Sequence, residues 1–151
     1  MKPSINVVLA SMLAAVFSAN VSAAEVKPED AIKYRQSVMS VMRWQLKSLG
    51  AMEKGERPMD KDMLVKNAVY LEMLSKMSLE GFVPGSDKGE TKAKPEVWSQ
   101  MDKFRGAMDK LLIDTAKLAQ VTKTGDMDQI KAQFGRTQET CKSCHQDFRK
   151  K

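Results

Sequence analysis

The sequence predicts an all-α fold, an antiparallel up-down-up-down four-helix bundle. Three observations carry this. Beyond residue 24, apolar side chains recur at steps of three and four, the period of a helix with one buried face, and no stretch reads convincingly as a strand. Residues 24–151 number about 128, enough for one core and one domain. Four periodic stretches are joined by two tight connections and one longer one, which makes successive helices antiparallel neighbours.

The first helix is expected from about Pro28 to Lys54. Pro28 suits the first turn, where its missing N–H costs nothing, and Glu29 and Asp30 favour the positive helix end. Ile32, Met39, Met42, Leu46 and Leu49 form its stripe, widened by Val38, Val41 and Met52. Gly55 and Pro58 end it. The second opens at Asp60 as N-cap, with Met59 and Leu64 spaced as a hydrophobic staple. Leu64, Ala68, Leu71, Leu74 and Met77 make its inner face, and it ends near Glu80-Gly81. Pro84, Gly85 and Gly89 then mark a loop from Phe82 to Lys94.

The third helix is expected from Pro95-Glu96 and closes before Lys123-Thr124-Gly125. Val97, Met101, Phe104, Met108, Leu111, Thr115 and Leu118 give the cleanest stripe in the chain. The fourth begins at Asp126, with Gln129 three residues on as its capping-box partner. Met127, Ile130, Phe134, Cys141, Cys144 and Phe148 share its core face.

The chemistry is concentrated near the C-terminus, in Cys141-Lys142-Ser143-Cys144-His145. Cys-x-x-Cys-His is the mark of c-type haem attachment. Two thiols add to the porphyrin vinyl groups, and the adjacent imidazole of His145 is the proximal iron ligand. The chain has two cysteines and one histidine, all within these five residues. A zinc site would need a second ligand pair, and none exists. A thioredoxin-like redox pair should follow a strand, whereas this one lies late in a helical pattern. One covalent haem c with its iron is the expected cofactor.

The N-terminus bears on location. Lys2, an apolar run from Ile5 to Phe17, and the small residues up to Ala23-Ala24 make a secretory signal peptide. The run is short for a membrane span. The expected division is residues 1–23, cleaved (after Ala23 or Ala24), and a haem domain over 24–151. The product is then periplasmic, with no membrane insertion after cleavage. Without Lys2, 24 basic residues face 19 acidic ones, a formal +5 before haem. No basic run is interleaved with aromatics, so nucleic acid is not an expected partner. The charge favours acidic partners only weakly.

Several segments together resemble the class II cytochromes c, that is, cytochrome c prime and its Met-ligated low-spin relatives. They are Lys33-Tyr34-Arg35-Gln36, Lys54-Gly55-Glu56 with Pro58, the run Glu90 to Trp98, and the closing attachment motif with Phe148-Arg149-Lys150. The resemblance spans almost all of residues 24–151 and implies the same bundle. It also implies haem-edge positions for Arg35 and Gln36, with the arginine suited to a propionate. Glu90 and Thr91 match positions at the haem periphery, and Arg149 matches a basic residue beside the proximal histidine. Such proteins are often homodimers through the first two helices.

The distal side of the iron decides between functions. Bundle topology leaves Met39, Met42, Met73, Met77 and Met101 near the level of the motif. The resemblance selects Met39, where gas-binding relatives place Leu or Phe and Met-ligated relatives place their sixth ligand. A His145/Met39 haem implies a one-electron carrier serving redox partner proteins. An open iron implies a five-coordinate protein that binds or buffers NO or CO. No second titratable cluster accompanies the motif, so an enzyme is not expected and the cofactor carries the chemistry.

Overall fold

A computed structural model describes residues 26–151. The proposed signal segment lies outside the described residues. Five helices follow in order: α1 (Pro28–Glu53), α2 (Lys61–Met77), α3 (Glu96–Ser99), α4 (Met101–Thr124) and α5 (Met127–Phe148). The long helices α1, α2, α4 and α5 form the bundle, each packed on the next in sequence. Among the described residues no helix is long and apolar enough to cross a membrane.

The caps explain most boundaries. Asp60 accepts from the Met63 amide and starts α2. Met59 is 47 % exposed, so the expected staple on Leu64 buries little. Asp126 accepts from the Asp128 and Gln129 amides and starts α5, and its other oxygen accepts from Gln129 Nε2. The glutamine therefore reaches the aspartate side chain rather than the backbone N–H of the usual capping box. Gly125 closes α4 at φ 77°, a left-handed position that glycine occupies without a Cβ penalty.

The third helix is not continuous. Gln100 (φ −125°, ψ 46°) breaks it into the single turn α3 and the long α4. The turn is anchored separately: Trp98 Nε1 donates to the Val83 carbonyl, and its ring stands against Phe82. The apolar stripe survives the break, because Val97, Phe104, Met108, Leu118 and the hydroxyl-bearing Thr115 are all buried.

The core runs through Val38, Met42, Leu49, Leu64, Ala68, Leu71, Phe104, Leu118, Ile130 and Phe134. Val38 and Met52 belong to it; of the three residues expected to widen the α1 stripe only Val41 is exposed. Met77, expected on the inner face of α2, is 38 % exposed. Polar side chains line two seams. Ser75 and Thr115 hydroxyls meet between α2 and α4 at 2.9 Å. Between α4 and α5, Asp114 Oδ2 accepts from Lys110 Nζ and Thr140 Oγ1, while its carbonyl accepts from Gln133 Nε2.

One pair of helices does not close. A Cβ on Gly50 of α1 would lie 3.6 Å from the Phe134 ring of α5, so the two helices meet there. Elsewhere their backbones scarcely approach each other. A cleft opens between them.

Candidate haem site

On α5, Cys141, Cys144 and His145 stand at i, i+3 and i+4, which puts all three on one face. That face borders a cleft of about 1330 Å³. Its walls are largely apolar, with Met39, Met42 and Leu46 from α1, Phe82 and Val97 beyond α2, Phe104, Met108 and Leu111 from α4, and Phe148 from α5. Phe104 stands edge-on to both Phe82 and Phe148, at 4.7 and 5.1 Å between centroids.

Both cysteines are half-buried free thiols. Burial pushes the Cys141 thiol up, and burial together with Cys141 and Asp147 pushes Cys144 up to about 11. The thiol form is therefore the resting form of both. The His145 ring reaches solvent at the cleft mouth, yet the protein packed around it, and then Arg149, lower its pKa. Both effects favour neutral imidazole, the form that binds a metal.

The C-terminal end of α5 is fastened to the segment before α3. The Lys94 amide donates to the Phe148 carbonyl and the Lys150 amide to the Lys92 carbonyl, bracketing a single antiparallel bridge of Ala93 with Arg149. Lys94 Nζ donates to the Gln146 and Asp147 carbonyls, satisfying the free end of the helix. This closes one side of the cleft and brings Lys92, Lys94, Arg149 and Lys150 to it.

Eight of the nine residues singled out from sequence border this one cleft: Arg35, Gln36, Met39, Thr91, Cys141, Cys144, His145 and Arg149. Glu90 does not. Its side chain is exposed and off the cleft wall, and its carbonyl accepts from Gln36 Nε2 at 2.7 Å.

Arg35 borders the cleft but its fork is engaged elsewhere. Nη1 donates to the Gly81 carbonyl (2.8 Å) and Ser86 Oγ (2.7 Å). Nη2 donates to the Ser86 carbonyl (2.6 Å) and Thr91 Oγ1 (2.8 Å). The guanidinium also lies over Phe82 and Trp98, and only 3 % of the residue is exposed. Its first role is to clamp the long loop onto α1.

Sequence reasoning did not single out Leu46, Phe82, Val97, Phe104, Met108, Leu111 or Phe148 as site residues. Their periodicity is that of ordinary core, and only the gap between α1 and α5 distinguishes them. It also missed that, among the described residues, the cleft border carries eight Lys and Arg side chains and no carboxylate.

These residues fit a covalent haem: two thiols and an imidazole at one wall, apolar faces for the macrocycle, and cations for its propionates. Residues 30–149 match the profile of the family described as Cytochrome C′. The cytochrome c′ of Rubrivivax gelatinosus is 43% identical over 126 residues, covering 83% of this chain and 98% of that protein. The cytochrome c′ of Alcaligenes xylosoxydans is 35% identical over 125 residues, covering 83% and 97%. Among solved structures, cytochrome c prime from Shewanella frigidimarina superposes with a TM-score of 0.81 at 36% identity, covering 83% of this chain and 98% of its own. With its attachment motif on the cleft wall and its bundle shared with these proteins, the chain belongs to the cytochrome c′ family of class II c-type cytochromes and carries covalent haem c.

Proposed function

We propose that the protein is a periplasmic one-electron carrier whose iron takes His145 and Met39 as axial ligands. The observation that carries this reading is the state of the methionines. Met39, Met42 and Met108 border the cleft; Met73, Met77 and Met101 do not. Met42 Sδ accepts from Ser78 Oγ at 3.2 Å, and Met42 and Met108 are both buried in the core. Met39 is half-buried, and among the described residues no hydrogen bond engages its sulfur. Haem supplies a one-electron couple, and thioether ligation favours its reduced state. Cys141 and Cys144 would hold it, His145 would orient it, and Phe82, Phe104 and Phe148, which line the cleft, would keep water from it. Among the described residues the α1 side of the cleft carries no carboxylate or histidine beside Met39, which suits electron storage rather than proton-transfer catalysis.

A second reading is binding of a small gas at an open iron. A solved cytochrome c prime variant from Alcaligenes xylosoxidans, 35% identical with a TM-score of 0.78, is a nitric oxide complex. In that case Met39 packs over the iron without binding it.

The test is the spectrum of the ferric protein and of Met39→Leu. The carrier reading expects a low-spin wild type with a long-wavelength Met-to-iron band. The substitution should abolish that band, lower the potential and speed CO uptake. A wild type already high-spin, taking up CO or NO as readily as Met39→Leu, would establish gas binding instead.

A further inference from the structure

Beside the haem cleft lies a second, shallower depression of about 620 Å³, between the C-terminal half of α1, the α1–α2 turn and α5. Arg43, Leu46 and Gln138 border both. Four cations surround it, Arg43, Lys47, Lys54 and Arg57, against one carboxylate, Glu56. All four are exposed, and among the described residues none has an ion-pair partner or a side-chain hydrogen bond. Trp44 stands among them, 73 % exposed, the most exposed large apolar side chain described.

Lack of a partner does not by itself mark these cations, since among the described residues Lys92, Lys117, Lys131 and Lys150 also form no ion pair. What marks the groove is that four such cations gather around one exposed tryptophan. An unpaired cluster of one sign raises the local potential and steers an oppositely charged surface. An exposed tryptophan at its centre supplies the rigid aromatic anchor on which interface energy concentrates. The haem propionates do not account for this cluster, because Lys47, Lys54, Arg57 and Trp44 are not on the haem cleft wall.

We propose that this groove is a docking site for an acidic protein partner, in which carboxylates engage Arg43, Lys47, Lys54 and Arg57 and an apolar side chain covers Trp44. Through Arg43 and Leu46 the partner would sit against the edge of the haem cleft. Met39 does not line this groove, so the proposal stands whether or not Met39 ligates iron.

The haem-loaded mature protein should bind a fluorescein-labelled hexaglutamate peptide with a C-terminal leucine, read by anisotropy at low salt. Lys47→Gln/Lys54→Gln should weaken binding by about fivefold to tenfold, the effect of two exposed charges. Trp44→Ala should weaken it further without changing the net charge. Lys117→Gln/Lys131→Gln, a charge-matched pair on α4 and α5 outside the groove, should leave affinity within about twofold, since screening confines such effects to short range. Equal loss in both lysine pairs would reduce the site to diffuse charge and overturn the proposal. So would a homodimer that buries Trp44 and takes up no peptide.

Discussion

Arg35→Met removes a guanidinium while keeping much of its aliphatic stem. Four acceptors lose a donor: the carbonyls of Gly81 and Ser86 and the hydroxyls of Ser86 and Thr91. The hydroxyls keep other partners, since Ser86 Oγ donates to the Val83 carbonyl and Thr91 Oγ1 accepts from the Ala93 amide. The two carbonyls are left without a partner in a buried setting. Each orphaned group costs about 1–3 kcal/mol. Stacking on Phe82 and Trp98 adds about 0.5–2 kcal/mol per ring. Relief from burying a cation offsets part of this, so a net loss of about 3–5 kcal/mol is expected. Against a total of about 5–15 kcal/mol that is a large fraction. Denaturant unfolding of the haem-loaded protein, followed by helical circular dichroism, measures it. Amide exchange over residues 82–94 should rise in parallel, because the loop loses its clamp. Arg35→Lys keeps the charge but not the planar fork, and should recover less than half of the loss. A loss below about 1 kcal/mol, or full recovery with lysine, would refute the clamp and return Arg35 to a purely electrostatic role at the propionates.

Other outcomes follow from the same geometry. A Cβ on Gly81 would lie 2.7 Å from Arg35 Cβ and 3.0 Å from the Ala31 carbonyl, so Gly81→Ala should cost about 1–3 kcal/mol as overpacking, read as a lowered Tm. Burial raises the Asp114 pKa, but bonds from Lys110, Thr140 and Gln133 outweigh it and hold the carboxylate below its ordinary value. Its stabilisation is therefore present above the unfolded carboxylate pKa of about 4 and lost as pH falls through the lower folded value. Acid titration of Asp114→Asn should show a lower plateau at neutral pH and a shallower loss below pH of about 4, and a curve parallel to wild type would argue against the linkage. Cys144→Ala should leave at most one thioether, so mass spectrometry after denaturation should show less retained haem than in wild type.

The sequence by itself determined the cofactor chemistry and most of the fold. Cys141, Cys144 and His145 are adjacent, so their chemistry needs no tertiary information to be read. The helices were legible because burial of one face imposes a period of 3.6 on the apolar residues, and Asp60, Asp126 and Gly125 mark ends through local hydrogen bonding and backbone freedom. Periodicity cannot tell whether an apolar face meets another helix or a cofactor. Leu46 and Leu49 read alike, yet Leu49 is in the core and Leu46 borders the cleft. That difference exists only because α1 and α5 meet at Gly50 and Phe134 and part beyond them. The break at Gln100 was hidden for a related reason: a one-residue kink preserves the stripe, and the turn before it is held by a long-range bond from Trp98 to Val83 that periodicity does not register. Arg35 was singled out through the family resemblance, but its four acceptors lie 46 to 56 residues away, and only the folded loop brings them within reach of its fork.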